Sequence, residues 1–183
     1  MTTLACGPRI LTALAIAVSL WLLVLSDGAS AEDKKVSGTA KFGPTLSQTM
    51  LLPGDASKHE VMLVNRIQFW NSANPDWNNV EVTQFSYTDY TAGTGYHSGY
   101  NANAHPGGDR TFLSYEGRTT RTTNPDGSWE AKFEGKLRFT GGTGKFQGII
   151  GQGSYLGKAS APGGPTAAAA TFEWQAEYSV PPK

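Results

Sequence analysis

Two carboxylates stand out because each lies inside an aromatic segment of the chain. Asp89 lies in the segment YTDY, and Glu116 lies in the segment SYEG. A carboxylate that turns into an apolar cavity has a raised pKa and could act as a general acid or base. The sequence leaves open whether these side chains turn inward or lie at the rim or surface. Asp89 and Glu116 are therefore the candidate catalytic residues.

The three histidines are the next candidates, because imidazole is a common metal ligand. A protein metal site needs three or four converging nitrogen, sulfur or oxygen ligands. His97 and His105 lie in a glycine-rich segment between Asp89 and Asp109, but His59 is far from them in sequence. None of the short spacings of known metal motifs is present, and HPGG at 105–108 is typical of a turn. We therefore predict no metal site and no cofactor.

A glycine-rich segment, FTGGTGKFQGIIGQGSYLGK at Phe139–Lys158, raises the question of phosphate binding. A P-loop requires glycine where this chain has Phe139, and serine or threonine where it has Phe146. A dinucleotide fingerprint requires a closer glycine spacing and a following helix. The segment instead predicts a tight connection at 141–144, with its glycines at positive φ, followed by a bent strand.

Two segments show the alternation of apolar and polar residues that indicates strands. Ser128–Thr140 has charged residues at every even position from Glu130 to Arg138. Thr171–Val180 repeats the pattern. The predicted inner faces of these two strands consist of Trp129, Ala131, Phe133, Gly135, Leu137, Phe139, Phe172, Trp174, Ala176, Tyr178 and Val180.

Other strands are less regular. His59–Trp70 has apolar residues at odd positions, which predicts that these positions and Asn65 among them face inward. Val80–Tyr90 changes from even to odd apolar positions, which predicts a β-bulge near Thr83–Gln84. The residues 43–58 form the longest predicted loop. About eight strands with short connections and no long helix indicate an all-β protein. We predict a single antiparallel eight-stranded barrel, because closure removes exposed strand edges.

The aromatic residues of the two regular strands are the candidate ligand-binding residues. In a small barrel the inner face either fills itself or surrounds a ligand. A self-filled core is the alternative interpretation for each of them. Asn65 is included because a buried amide must be hydrogen-bonded, and a cavity ligand is one partner. Trp70 and Trp77 flank an asparagine-rich loop and could form a cavity lid or a subunit contact. The predicted ligand site consists of Asn65, Trp129, Phe133, Trp174 and Tyr178.

The first 31 residues differ from the rest. Arg9 precedes a largely apolar run at Ile10–Leu25, and ASA at Ala29–Ala31 follows. This order predicts a secretory signal peptide cleaved after Ala31, with an uncleaved anchor as the alternative. We therefore expect an exported protein, periplasmic or extracellular, whose barrel domain comprises residues 32–183.

The composition of residues 32–183 excludes several classes of function. Cys6 is the sole cysteine of the whole chain, so residues 32–183 have no thiol nucleophile, disulfide or thiolate metal site. Fourteen Lys and Arg (fifteen less Arg9) balance fourteen Asp and Glu (fifteen less Asp27). No basic cluster is present. We therefore expect neither a nucleic-acid partner nor a stable membrane anchor.

Two segments together resemble a known family. TGGTGKFQG at 140–148 followed by GQGSY at 151–155, with HPGGDRTFLSYEGRTT at 105–120, is similar to the allene oxide cyclase and dirigent superfamily. The same pairing of segments occurs in small exported bacterial proteins described as allene-oxide-cyclase barrel-like, which the segment at 105–120 also resembles. The resemblance covers about residues 93–155. It implies a calycin-like antiparallel barrel with a central cavity, often assembled as a trimer.

The resemblance implies a fold and a cavity but transfers no catalytic residue, because the matching positions are turn and strand residues. Residues 32–183 also lack the cavity cysteine of the plant cyclases. The leading hypothesis is a barrel that binds a small apolar, aromatic or phenolic molecule. One alternative is an enzyme of the cyclase or isomerase kind, in which confinement orients a reactive substrate. Another is a structural, oligomeric barrel without a ligand.

Overall fold

The structure, a computed structural model, describes residues 32–161 and 169–182. Eight strands form a closed antiparallel barrel in which each strand pairs with its neighbours in the chain and β1 pairs with β8. The predicted all-β, eight-stranded barrel is therefore confirmed. The strands are β1 (Lys34–Leu51), β2 (His59–Ser72), β3 (Val80–Thr91), β4 (Thr94–Ala104), β5 (Arg110–Thr123), β6 (Trp129–Gly142), β7 (Ile150–Ala161) and β8 (Ala169–Ser179).

The inner faces of β6 and β8 agree with the alternation in the sequence. Along β6, Ala131, Phe133, Leu137 and Phe139 are buried, whereas the intervening charged residues are exposed. Along β8, the even positions from Ala170 to Tyr178 are buried in the same way. A strong charge alternation predicts the face correctly because a charged side chain inside the barrel would need a buried partner.

The predicted inner face of β2 and the predicted bulge in β3 are both wrong. The even positions of β2, from Met62 to Trp70, face the interior, whereas Leu63 and Phe69 are exposed. Strand β3 pairs without interruption with β2 and β4, so its face never changes. The apparent change of parity has another cause. The inner face of β3 turns polar after Val82, and its outer face carries the exposed Phe85 and Tyr87.

Two smaller expectations also need correction. Residues 43–51 are not part of a loop, because β1 continues to Leu51. The Gly43–Pro44 step is instead absorbed by register shifts between β1 and β2 on either side of Thr45. Of the three glycines predicted to have positive φ in the glycine-rich connection, only Gly144 does (56°), and Gly141 and Gly142 still belong to β6.

The two ends of the barrel are closed differently. At one end, called here the capped end, short 3₁₀ turns at Pro75–Trp77 and Gly144–Phe146 carry Trp77 and Phe146 into the interior. Trp77 is fully buried and contacts Phe139, Phe146, Trp174 and Tyr178, with ring centroids 5.3–5.8 Å apart. The other end, called the open end, includes the β1–β2, β3–β4 and β5–β6 connections.

The predicted signal peptide at residues 1–31 lies outside the described residues. Within residues 32–161 and 169–182, no helix has the length and apolar character that a bilayer-crossing helix requires.

Candidate functional site

A cavity of about 640 Å³ occupies the barrel interior towards the open end. Its floor is formed by Gln68, Trp70, Leu113 and Leu137, which separate it from the packed residues of the capped end. Its upper part is lined by partly exposed residues at the open end: Glu60, Gly93, Arg121 and Trp129. The volume falls within the range of sites for small organic ligands, roughly 300–1,000 Å³.

One wall of the cavity is apolar and aromatic. Phe42 of β1, Phe133 of β6 and Phe172 of β8 meet with ring centroids 5.9–6.0 Å apart. Phe42 and Phe133 are stacked, and Phe172 meets both at a steep angle, which are the favoured geometries for aromatic pairs. The small residues Ala131, Ala159 and Ala170 line the cavity on the same side. This wall offers flat apolar surface to a ligand.

The opposite wall is polar. It is formed mainly by β3, β4 and β5, and Arg66 of β2 adds a charged side chain to it. The inner faces of these strands bring together hydroxyl, amide, imidazole and phenol groups. The polar wall consists of Arg66, Gln84, Ser86, Thr88, Tyr90, His97, Asn101, Tyr115 and Thr119, and Tyr155 of β7 reaches it from the side.

A hydrogen-bond chain crosses the polar wall with His97 at its centre. The distance from His97 Nε2 to the Tyr155 hydroxyl is 2.7 Å, and the distance from Nδ1 to Thr119 Oγ1 is 3.1 Å. Tyr90 extends the chain, because its hydroxyl lies 2.8 Å from Thr119 Oγ1. Burial lowers the pKa of His97 to about 4. The imidazole is therefore neutral at pH 7, with one ring nitrogen donating and the other accepting.

Two glycines in the strands leave the space that the His97–Tyr155 part of this hydrogen-bond chain occupies. A Cβ atom at Gly117 would lie 2.6 Å from the Tyr155 hydroxyl and 2.7 Å from His97 Nε2. A Cβ atom at Gly135 would lie 2.2 Å from the same hydroxyl. These residues pair with each other across β5 and β6. The glycines therefore place the Tyr155–His97 pair in contact with the backbone of the barrel wall.

Arg66 lies at the boundary between the two walls. Its guanidinium carbon is 4.6 Å from the centroid of the Phe42 ring, a cation–π geometry. Burial lowers the pKa of Arg66, and the Tyr115 and Tyr90 phenols lie within electrostatic range of the guanidinium. Burial also raises the pKa of Tyr115 to about 12 and raises that of Tyr155. Both phenols are therefore neutral hydrogen-bond donors.

Buried polar atoms without a protein partner are concentrated in this cavity. Native proteins leave few such atoms, and each one requires an explanation. Eight buried side-chain atoms of the described residues find no hydrogen-bond partner in the protein, and five of them belong to cavity-lining residues. Those five are Arg66 Nε, Thr88 Oγ1, Asn101 Oδ1, Tyr115 Oη and Arg121 Nε.

The five residues predicted to bind a ligand are divided between three places. Trp129 and Phe133 line the cavity. Trp174 and Tyr178 are buried outside it, where both pack on Trp77 and Tyr178 accepts a 3.1 Å hydrogen bond from Trp77 Nε1. Asn65 lies on the outer face of β2, because the even positions of this strand face the cavity.

The two candidate catalytic carboxylates lie on the outer surface. Asp89 is partly exposed, and its carboxylate contacts His59 Nε2 at 2.9 Å and the Tyr87 hydroxyl at 3.3 Å. Glu116 is exposed and accepts a 3.3 Å hydrogen bond from Tyr96. Neither side chain faces the cavity, so neither is in a position to act on a molecule held there.

The sequence reasoning missed the most polar members of the site, Arg66 and the His97–Tyr155 pair. Arg66 is not predictable from the pattern of β2, because the outer positions of this strand are more apolar than its inner ones. Tyr155 could have been found, because it closes the GQGSY segment at an odd position shared with three glycines of β7. The sequence indicates His97 only as a possible metal ligand.

The described residues contain no group of three or more histidine, cysteine, aspartate or glutamate side chains arranged to hold a metal ion. His97 lies in the cavity, whereas His105 lies at the capped end against Trp77. The barrel floor separates the two imidazoles.

No protein-family model and no curated protein matches this chain. Two solved structures of pterocarpan synthase dirigent proteins are similar to it. One is 17% identical, covers 84% of this chain and 90% of its own, and has a TM-score of 0.44. The other is 16% identical, covers 83% of this chain and 97% of its own, and has a TM-score of 0.42. The similarity is a distant one between barrels, and it carries no argument about substrate.

Proposed function

We propose that this protein binds a small aromatic or apolar molecule in the cavity of its barrel. The observation that carries the proposal is the pairing of an aromatic wall with a polar wall around a space of about 640 Å³. Pockets that bind small molecules have this composition, with mostly apolar surface and a few converging polar groups. The unpartnered polar atoms of the cavity support the same function, because a ligand could supply their missing hydrogen bonds.

The test compares a filled cavity with an unchanged one. Ser86→Phe places a ring in the cavity, whereas Thr83→Phe places the same ring on the outer face of the same strand. Native mass spectrometry of the protein from its own host reports a bound molecule, and thermal shift reports stabilisation by phenolic and fatty ligands. We expect Ser86→Phe to weaken ligand binding about ten-fold or more and Thr83→Phe to leave it unchanged.

If wild-type protein carries no small molecule and no phenolic or fatty ligand stabilises it, the binding function is wrong. The structural barrel without a ligand would then be the better description.

A second candidate function, an enzyme of the cyclase or isomerase kind, rests on the His97–Tyr155 pair. The pair faces the cavity with a neutral imidazole bonded to a neutral phenol. Such a pair could donate a proton to, or accept one from, a bound molecule. If the protein converts the molecule it binds, His97→Gln should abolish turnover and leave binding measurable. Equal turnover in wild-type and variant protein would overturn this assignment.

Assembly into a homo-oligomer is part of the proposal. The outer faces of β2, β3 and β4 carry exposed apolar and aromatic side chains, which solvent-facing strands rarely display together. They are Leu63, Phe85, Tyr87, Tyr96 and Tyr100. A trimer is expected from the resemblance in sequence. Sedimentation of wild-type protein and of Phe85→Lys tests it, since a lysine at the contact should release monomers, and a monomeric wild type contradicts it.

Export is proposed for the same chain. The charge, apolar run and ASA site of residues 1–31 support it, and β1 begins at Lys34, shortly after the expected cleavage site. The intact mass of the protein recovered outside the cytoplasm should correspond to residues 32–183. A full-length mass in that fraction would show that the segment is retained.

A further inference from the structure

Arg66 is a cation inside the barrel whose charge no carboxylate balances. No aspartate or glutamate of the described residues lies within ion-pair distance of it. Glu60 is the sole acidic residue that lines the cavity. It lies six residues before Arg66 on the same strand, roughly 20 Å away along the backbone. The acidic residues of β3, β5, β6 and β8 all occupy outer-face positions.

The Tyr115 phenol, which lies within electrostatic range of the Arg66 guanidinium, is a donor as well. Among the described residues, the buried Tyr115 hydroxyl makes no hydrogen bond of good geometry, although the Ser86 and Gln84 side chains lie beside it, and Arg66 Nε has no partner. A guanidinium and a neutral phenol that face the same space form a site for an oxyanion, because both can donate to it. Arg66 is partly buried, and its Nε atom is fully buried. Removing a charge from water without a counter-ion is costly, and a bound anion would supply the missing charge.

The Arg66 guanidinium lies directly beside the aromatic wall. Arg66 stacks on Phe42, and the Phe42 ring lies 5.9 Å from Phe133 and 6.0 Å from Phe172. A carboxylate bonded to Arg66 would therefore place the group attached to it directly against these rings. A flat ring on a short link fits this arrangement better than a long flexible chain, since it stacks on the wall at a lower entropic cost.

We infer that the cavity has an anion subsite at Arg66 and that its ligand is an aromatic carboxylate. The Arg66 guanidinium and the Tyr115 hydroxyl bind the carboxylate, and the ring of the ligand packs against Phe42, Phe133 and Phe172. This inference rests on the proposed function, because it names the ligand class of the same cavity.

The test uses a matched pair of probes, cinnamate and cinnamyl alcohol, which differ in the carboxylate and share the ring. Calorimetric titration of the protein as its host produces it should give affinity for cinnamate at least about ten-fold higher than for the alcohol. Arg66→Gln should weaken cinnamate binding about 10- to 100-fold and change alcohol binding less than about three-fold. Arg66→Lys should fall between them, because lysine keeps the charge and loses the planar fork.

The control variant is Arg118→Gln, which removes the same charge from an exposed position on the outer face of β5. We expect it to leave both affinities unchanged. Urea unfolding of ligand-free Arg66→Gln is a second measurement, because removal of a partly buried, unbalanced charge should leave the unfolding midpoint unchanged or raise it.

The outcomes separate this inference from the function on which it rests. If both probes bind equally to wild-type protein, the cavity binds aromatic molecules and the anion subsite is wrong. If Arg118→Gln weakens cinnamate as much as Arg66→Gln does, general attraction explains the preference and the subsite is again wrong. If neither probe and no other phenolic, aromatic or fatty ligand binds, the binding function itself fails. Preference for a long-chain carboxylate over cinnamate would overturn the assignment of an aromatic ligand.

Discussion

The same eight strands enclose a packed interior at the capped end of the barrel and a cavity towards the open end. At the capped end, the side chains fill the interior, and Trp77 contacts four other aromatic side chains besides His105. Towards the open end, the same eight strands leave a cavity of about 640 Å³. Packing at interior density stabilises the fold, whereas unfilled space stabilises nothing by itself. The capped end therefore provides stability that the cavity does not.

The two buried histidines show the same difference at the level of single residues. His105 at the capped end is held by the Asp76 carbonyl at 2.7 Å and by Thr111 Oγ1 at 3.0 Å, so both ring nitrogens bond to fixed structural groups. His97 in the cavity bonds to Tyr155 and Thr119, and both of these residues also line the cavity. A molecule in the cavity would meet the partners of His97 but not those of His105.

The largest effect should come from truncating the aromatic side chain that fills the capped end. We expect Trp77→Ala to lower the free energy of unfolding by about 3–5 kcal/mol, because it removes a fully buried indole and leaves a cavity. Trp129→Ala, at the partly exposed rim of the open end, should cost less than about 2 kcal/mol. Urea unfolding of both variants measures the difference. Equal losses would show that the two ends contribute equally to stability.

Low pH should destabilise the folded protein, because His97 in the cavity is neutral when folded and must compete with a protonated form in the unfolded chain. The pKa of His97 is about 4 in the folded protein and about 6.5 in an unfolded chain. The unfolded chain therefore binds the proton first, so stability present above pH ~6.5 is lost as pH falls towards ~4.

Between pH 7.5 and 4.5, wild-type protein should lose about 2 kcal/mol more stability than His97→Asn does. Urea unfolding at the two pH values measures this difference. Burial also lowers the pKa of His105, so part of the acid sensitivity should remain in the variant. An identical pH dependence in both proteins would contradict the burial of a neutral His97.

A smaller effect is expected from a glycine that closes the capped end. Gly144 has φ of +56°, and a Cβ atom there would lie 1.7 Å from Asp109 Oδ1, whose carboxylate accepts a hydrogen bond from the Lys145 amide. Gly144→Ala should lower the free energy of unfolding, measured by heat or urea, by about 1–3 kcal/mol. Gly107→Ala, where the new methyl group meets open space, should cost less than about 0.5 kcal/mol. Similar losses of unfolding free energy in the two variants would mean that neither the positive φ of Gly144 nor its contact with Asp109 restricts this turn.

The smallest effect is expected from the two outer-face carboxylates. Asp89→Asn and Glu116→Gln should change ligand affinity less than about two-fold, because neither side chain faces the cavity and exposed pairs contribute little. Titration of both variants with the same ligand as wild type is the measurement. A ten-fold loss in either would place the functional surface on the outside of the barrel.

The regular strands were predictable from sequence, and the irregular ones were not, for a physical reason. From Glu130 to Thr140 in β6 and from Thr171 to Glu177 in β8, every outward position is polar or charged, so alternation identifies the inner face. In β2 and β3 the outer face is also apolar, at Leu63, Phe85 and Tyr87, and the inner face is polar at Arg66 and Thr88. Hydrophobicity then predicts the wrong face, because polar groups lie inside these strands and apolar groups lie outside.

The candidate site was predictable only in its apolar half. Trp129 and Phe133 follow from the alternation in β6 and do line the cavity. Trp174 and Tyr178 follow from the same rule in β8, yet they pack at the capped end, because Trp77 enters from the β2–β3 connection and occupies the space between them. Position along a strand decides which end a residue occupies, and alternation contains no information about that position.

By itself, the sequence determined the strand count, the all-β class and the inner faces of the strongly alternating strands, because these follow from local periodicity and turn residues. Only the tertiary structure decided which end of the barrel is filled and which is open. It also decided that Arg66, Tyr115, His97 and Tyr155 meet across four strands. These contacts depend on the register and closure of the barrel, which bring together residues that are up to 89 positions apart.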